Sequence, residues 1–149
     1  MQQHPRHALV PADPTPAGSV PRGALDRTAA LAAPIPPLDL AMLQEGRELY
    51  DALCSACHGR TGRGDGMVVR HGFPVPPSFH AERLQRVSLE RIVKVITQGS
   101  GDMYPYANQT EPEERWAIAA YVKALQLSQE LPLDALPEED RLMLPEEDE

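Results

Sequence analysis

The residues with the clearest chemical potential in this chain stand together in one short motif. Cys54 and Cys57 are the two cysteines of the 149-residue sequence, and His58 follows directly in the order Cys-x-x-Cys-His. Two thiols at this spacing can each add to one vinyl group of a haem, and the adjacent imidazole is then held beneath the iron as a ligand. The motif therefore predicts one covalently attached haem c.

Three other uses of the two cysteines fit the sequence less well. A zinc site would need two further thiolates or imidazoles at suitable spacing, and His71 and His80 make a poor set for it. A thioredoxin-like redox pair would need an alternating strand and helix pattern, which the sequence lacks. A structural disulfide would give no reason for the adjacent histidine, so we interpret the motif as a haem site.

A methionine in a glycine-rich segment is the candidate for the second iron ligand. Met103 ends the sequence Gly-Ser-Gly-Asp-Met, between two predicted helices, where a loop is free to reach the distal face. Met67 is its only serious competitor, because the nine residues that separate it from His58 could extend about 30 Å. If the chain from His58 to Met67 went around the haem, the segment that follows, up to Pro77, would lie outside that path. We therefore predict that Met103 binds the iron.

Three helices are predicted from their start signals and from the spacing of their apolar residues. The first begins after Asp39 and runs into the cysteine motif, and the second begins after Ser88, preceded by a helical turn at 81–84. The third begins at Thr110, which forms a capping box with the acid three residues later. Residues 39–129 are thus expected to be an all-α domain whose small core needs a large apolar group to complete it.

The glycines predict close contacts and a long loop. Gly46 lies inside the first predicted helix, where Gly costs up to about 1 kcal/mol relative to Ala, so another backbone is expected to cross there. Residues 59–80 combine five glycines with three prolines. We expect them to form a loop that folds around another group rather than packing on itself.

The two ends of the chain differ from this central domain. Residues 1–38 hold eight prolines, which exclude a regular helix or a central strand, so we expect an extended arm that packs on other subunits. Residues 130–149 hold nine acids and one base and account for the net charge of −8. We expect this tail to be solvated rather than to bind a partner.

Two function classes are excluded by composition. The neutral remainder of the chain offers no basic face, which argues against nucleic-acid binding. No stretch approaches 18 consecutive apolar residues, so the chain has no transmembrane helix of its own.

Over residues 39–129 the chain resembles a class I cytochrome c. The resemblance rests on Gly46 and Tyr50 in the first helix, the CSACHG motif, the proline-bounded loop, the methionine loop, and Trp116 and Tyr121 in the last helix. It implies a class I cytochrome c fold, with three to four helices around one haem and extended arms at both ends. It also implies that the first and last helices cross at right angles near Gly46.

The same resemblance implies further residues around the haem. In that family a proline carbonyl accepts the Nδ1–H of the proximal histidine, and Pro77, followed two residues later by Phe79, is the best match. Phe79 and Trp116 are expected to contact the haem. Together with Cys54, Cys57, His58 and Met103, these residues complete the candidate site.

A closer resemblance is to the mono-haem cytochrome c subunit of bacterial alternative complex III. Four segments carry it: CSACHGRTGRGDGM, HGFPVPPSFH, ITQGSGDMYPYANQ and RWAIAAYVKALQLSQ. That membrane complex oxidises quinol and passes electrons to a terminal oxidase, so the resemblance implies a periplasmic subunit that binds other subunits and redox partner proteins. Members are typically lipoproteins, whereas no Cys precedes Cys54 and no signal peptide is visible. We therefore expect either a lipid anchor upstream of residue 1 or retention by protein contacts.

The resulting expectation is one-electron transfer, with no substrate turnover by this subunit alone. With His58 and Met103 both on the iron, no position is open to a substrate, and a thioether ligand raises the potential relative to two histidines. One alternative is a five-coordinate haem domain that binds a gas, which requires that Met103 not ligate. Another is a subunit of a periplasmic dehydrogenase or a free shuttle. A shuttle usually displays a ring of lysines, whereas this chain has only Lys94 and Lys123.

Overall fold

The computed structural model describes residues 35–142, and its regular elements are helices. Within that range the only strand-like pairing is an isolated bridge between Ser100 and Met103. The all-α prediction is therefore confirmed. The helices are α1 (Leu40–Leu53), α2 (Ser55–His58), α3 (Glu82–Gln85), α4 (Leu89–Gln98), α5 (Pro112–Ser128) and α6 (Glu138–Arg141), with 3₁₀ turns at Val69–His71 and Leu133–Ala135.

Side-chain caps fix the starts of α1 and α4 as predicted. The Asp39 carboxylate accepts the backbone N–H three residues later at 2.8 Å. The Ser88 hydroxyl does the same at 3.3 Å. Each cap satisfies one of the backbone donors that a helix leaves unpaired at its first turn.

The start of α5 differs from the prediction by one residue. The cap is Glu111, which forms a capping box with Glu114, rather than Thr110 with Glu113. The Thr110 hydroxyl instead donates to the carbonyl of Tyr106 at 2.8 Å. This local acceptor holds Thr110 in the preceding turn, so the next residue takes the capping position.

The helices α1 and α5 approach each other most closely at Gly46. This glycine is buried, and a Cβ at its position would overlap the backbone carbonyl of Ala117 and press on the Cβ of Tyr121. The prediction that another backbone crosses there is confirmed. Glycine is required because any larger residue would force the two helices apart.

The core is small and is built by three helices. Tyr50 of α1 meets side chains from α4 and α5, and we call this buried set the core cluster. Its members are Tyr50, Val93, Ile96, Trp116, Ile118, Ala119 and Val122.

The loop between α2 and α3 packs back on its own chain, contrary to the sequence-based expectation. Three of its amides donate to the last three carbonyls of α2: Gly64 to His58 (2.8 Å), Gly66 to Cys57 (3.1 Å) and Val68 to Ala56 (3.0 Å). A helix end leaves such carbonyls without partners. The loop therefore supplies these partners from its own backbone.

The two arms are described only in part. Residues 35–38 have no regular secondary structure, and the rest of the predicted N-terminal arm lies outside the described residues. Residues 130–142 of the acidic tail carry the second 3₁₀ turn and α6, and all of them except Leu136 are exposed. Between residues 35 and 142, no helix has the length and apolar character needed to cross a membrane.

Replacing Gly46 by Leu should destabilise the protein, because the new side chain overlaps the backbone of α5. The expected loss in free energy of unfolding is about 1–3 kcal/mol. Ala52→Leu serves as the control, since Ala52 is an exposed position of the same helix. Thermal unfolding of the two variants measures the difference, and equal midpoints would contradict the crossing.

Candidate haem site

The Cys-x-x-Cys-His motif is folded as one compact turn at the end of α1. The amides of Cys57 and His58 both donate to the carbonyl of Cys54, at 3.1 and 2.9 Å. Neither cysteine is in a disulfide, and all three side chains are half-buried. Two free thiols and an imidazole therefore share one helical turn.

Burial keeps the Cys54 thiol protonated. Removal from solvent, followed by the charge of Cys57, raises the pKa of Cys54 to about 12. At neutral pH the group is therefore a neutral thiol.

The imidazole of His58 is neutral and lies against an aromatic ring. Burial lowers its pKa to about 4, so at pH 7 it carries a free nitrogen lone pair. The ring of Phe79 stacks on it with centroids 4.5 Å apart and an angle of 22° between the planes. The structure thus brings together two of the predicted site residues in a form that can bind a metal.

The hydrogen bond predicted from His58 to the Pro77 carbonyl is not seen in residues 35–142. The His58 Nδ1 is buried and has no partner in this part of the chain, and Pro77 is exposed. The neighbouring segment is fixed by other contacts, because the Phe79 amide donates to the Gly62 carbonyl at 2.8 Å. A buried ring nitrogen without a partner costs about 1–3 kcal/mol.

The methionine loop is closed and tied to the motif. Met103 and Ser100 exchange two backbone hydrogen bonds, each of 3.0 Å. The amide of Tyr106 donates to the Ile96 carbonyl at 2.8 Å, and its hydroxyl donates to the Leu53 carbonyl at 3.3 Å. The loop is therefore anchored to the residue that precedes Cys54.

Tyr106 is a residue of the site that sequence reasoning missed. Burial, then the charges of Cys54 and Cys57, raise the pKa of its phenol, which locates it in the electrostatic surroundings of both thiols. The available signal was its place in Tyr-Pro-Tyr directly after Met103.

Four of the predicted site residues meet at the core cluster. Trp116 belongs to the cluster, and Cys54, Phe79 and Met103 are half-buried and pack against it. Met67, in contrast, is 65% exposed. The geometry therefore separates the two candidate methionines.

The remaining histidines take different positions. His71 is exposed. His80 is half-buried, and its Nε2 donates to the carbonyl of Thr61 at 2.6 Å. Among residues 35–142, no three His, Cys, Asp or Glu side chains are grouped to hold a bare metal ion.

These residues fit a covalently bound haem. The thiols are free, the imidazole is neutral, and half-buried apolar side chains pack with Cys54 against the core cluster. In addition, the indole Nε1 of Trp116 is buried with no hydrogen-bond partner among the described residues. Such a buried donor is usually satisfied, so an acceptor from a bound group is expected.

Tyr50 joins α1 to the end of the motif. Its hydroxyl is fully buried and donates to the Gly59 carbonyl at 2.6 Å, directly after His58. Burial raises the pKa of the phenol well above its ordinary value, so the hydroxyl keeps its proton and remains a donor.

Replacing Tyr50 by Phe should lower the free energy of unfolding by about 1–2 kcal/mol, because the buried carbonyl loses a donor. Tyr104→Phe is the matched control, since Tyr104 is exposed. Denaturant unfolding compares the two. A loss in the control as large as that in Tyr50→Phe would contradict the role assigned to this hydrogen bond.

Comparison with known proteins agrees with this geometry. The family model for "Cytochrome C oxidase, cbb3-type, subunit III" matches residues 41–122. The chain is 27% identical over 88 residues to the cbb3-type cytochrome c oxidase subunit CcoP of Azospirillum sp. (strain B510). The match covers 58% of this chain and 30% of that relative, so the chain spans about a third of the curated relative it matches.

A solved structure is similar as well. It is the reducing HAO-like protein complex of Kuenenia stuttgartiensis, with a TM-score of 0.54 and 28% identity over 64% of this chain and 48% of the other. The helical architecture, the Cys-x-x-Cys-His turn and the matched range lead to one conclusion: the chain belongs to the family described as cytochrome c oxidase, cbb3-type, subunit III, and carries a cytochrome c-type domain.

Proposed function

We propose that this chain is a one-electron carrier with a single haem c, held through Cys54 and Cys57 and ligated by His58 and Met103. When bound, the haem supplies reversible one-electron redox chemistry at its iron. The subunit itself turns over no substrate. The observation that carries the proposal is that Cys54 and Met103 pack against the same core cluster, while Phe79 of that group stacks on His58.

The chain's own residues perform three tasks in this proposal. Cys54 and Cys57 form thioethers and so fix the haem to the end of α1. His58 offers a neutral nitrogen, and the buried surroundings that lower its pKa exclude water from it. Met103 offers a thioether sulfur, an uncharged ligand that favours the ferrous iron.

Met103 is favoured over Met67 for two reasons. Met103 is half-buried beside the core cluster, whereas Met67 is exposed. The amides of Gly66 and Val68, on either side of Met67, donate to carbonyls of α2. These bonds hold the backbone of Met67 against the turn formed by residues 54–58, which we call the attachment turn. A ligand to the opposite face would need to leave this position.

Replacing Met103 by Ala should abolish the sulfur-to-ferric-iron charge-transfer band, lower the reduction potential and open the iron to carbon monoxide. Met67→Ala is the matched control and should leave all three signals nearly intact. Absorption spectroscopy, potentiometry and carbon monoxide titration of the holo-protein measure these effects. The reverse pattern would assign the ligand to Met67. Carbon monoxide binding by the unmodified protein would instead favour the gas-binding alternative.

We further propose that the carrier is a periplasmic subunit of a membrane-bound quinol-oxidising complex that passes electrons towards a terminal oxidase. The resemblance to the mono-haem subunit of alternative complex III supports this assignment. The relative from Azospirillum and the similar structure are themselves named as an oxidase subunit and as a complex, which supports a place in a multi-subunit assembly.

The surface of the chain supports a protein partner. Met67, Phe73 and Val75 are exposed on the loop between α2 and α3. The Phe73 amide donates to the carbonyl of Val68, the neighbour of Met67, at 3.2 Å, so the backbone brings these residues together in space. Contiguous exposed apolar side chains are typical of contact surfaces. Residues 60–70 add three arginines and a single aspartate, so the complementary partner is a subunit that offers carboxylates around an apolar centre.

A second candidate is a subunit that delivers electrons within a cbb3-type oxidase. The family match and the curated relative favour it, because both are named for that oxidase. The two candidate functions differ in the other subunits with which this haem domain assembles.

Purification of the tagged chain from its native membrane distinguishes the two assemblies. We expect it to co-purify with subunits that give quinol-dependent reduction of its haem. Co-purification with a cbb3-type catalytic subunit and oxygen consumption would establish the second candidate instead. Recovery as a monomer at physiological ionic strength would contradict both and favour a free shuttle.

A further inference from the structure

Gln126 of α5 is a buried amide that none of the roles above requires. It is 5% exposed, and its Nε2 donates to the carbonyls of Phe79 at 2.8 Å and Leu84 at 3.1 Å. Both neighbours are acceptors, so the network fixes the orientation of the amide. Its Oε1 is buried and has no hydrogen-bond partner among residues 35–142. An apolar side chain at this position would not bury an unpaired acceptor. The presence of glutamine is therefore best explained by the two hydrogen bonds that its Nε2 donates.

A second donor on the same face of α5 reaches the same segment. Lys123, three residues before Gln126, donates its Nζ to the Gln85 carbonyl at 2.9 Å. Burial lowers the pKa of this ammonium. Two side chains spaced by one helical turn therefore hold the chain from Phe79 to Gln85 against α5.

The backbone of Phe79 is held by hydrogen bonds at both its amide and its carbonyl. Its amide donates to the Gly62 carbonyl at 2.8 Å, and its carbonyl accepts from Gln126. The ring lies against Gly62, where a Cβ would come within 2.6 Å of the ring atom Cδ2. Next to it, His80 donates to the Thr61 carbonyl. The position of the Phe79 ring is therefore fixed by both the loop and α5.

The fixed ring is the contact that orients the His58 imidazole. The two rings are nearly parallel, with centroids 4.5 Å apart, an arrangement in which rotation of one ring is hindered by the other. A ligating histidine usually has its orientation set by a hydrogen bond from its second ring nitrogen. Here the His58 Nδ1 has no such partner among the described residues.

We propose that Gln126 is a positioning residue for the axial histidine: by holding the Phe79 backbone, it presses the phenyl ring on His58 and sets the orientation of the imidazole plane. This inference rests on the proposed ligation by His58. In a ferric haem, the plane of the axial imidazole and the orientation of the opposite ligand together determine how the unpaired electron is distributed over the four haem methyl groups. The orientation is therefore measurable without an activity assay.

The test uses proton NMR of the ferric holo-protein, with the hyperfine-shifted haem methyl signals as the readout. Gln126→Leu should change the order or the spread of the four methyl shifts. Gln129→Leu is the matched control, because Gln129 is exposed at the end of the same helix and, within residues 35–142, its side chain accepts a surface hydrogen bond from Arg63 at 2.9 Å. The control should keep the original pattern.

Phe79→Leu removes the ring but leaves both carbonyl acceptors of Gln126, and it should change the methyl pattern in the same direction. If Gln126 acts through Phe79, the double variant should show no larger change than Phe79→Leu alone. If Gln126→Leu does not yield holo-protein, Gln126→Met is used for the same measurement, because the unbranched methionine side chain has a length similar to that of glutamine.

An unchanged methyl pattern in the Gln126 variant would overturn the inference, even if its unfolding midpoint falls, because the residue would then be structural only. An additive double variant would overturn the link through Phe79. Failure of the proposed function is recognised separately: the unmodified protein would then show no hyperfine-shifted methyl signals, or would keep them unchanged in His58→Ala.

Discussion

The close approach of α1 and α5 at Gly46 is the contact on which the rest of the site depends. The attachment turn begins where α1 ends, and α5 supplies four members of the core cluster against which Cys54 packs. Because Gly46 lets the Ala117 carbonyl lie against α1, Trp116 enters the core cluster. Ten residues further on, Gln126 reaches the segment that carries Phe79. A wider separation of the two helices would move these groups away from the cysteines.

Much of this arrangement could be predicted from the sequence, since its signals are local. The Cys-x-x-Cys-His spacing identifies the attachment turn within five residues, and Asp39 and Ser88 mark helix starts by caps that act over three residues. Gly46 predicted a helix crossing because glycine is costly inside a helix. The start of α5 was displaced by one residue, because the hydroxyl of Thr110 found an acceptor in the preceding turn.

The contacts that escaped prediction join residues far apart in the sequence. The Tyr106 hydroxyl reaches Leu53, and the Gln126 amide reaches Phe79. Both residues lie in segments that carry the family resemblance, but the sequence does not show which distant carbonyl each of them reaches, because that depends on the tertiary fold. The loop after the motif differs from its prediction for a related reason. Its glycines allow the loop backbone to approach α2 and bond to it, which the composition of the loop does not indicate.

The order of these elements along the chain has a consequence for biogenesis. The turn that holds both cysteines is closed by bonds within residues 50–68, from the Tyr50 hydroxyl to the Val68 amide. The helix that supplies most of the core cluster, against which Cys54 packs, starts only at Pro112. During synthesis from the N-terminus, both thiols are therefore made well before α5 can pack beside them. For the haem attachment proposed above, that interval leaves the two sulfurs accessible, and docking of α5 then completes the core cluster next to Cys54.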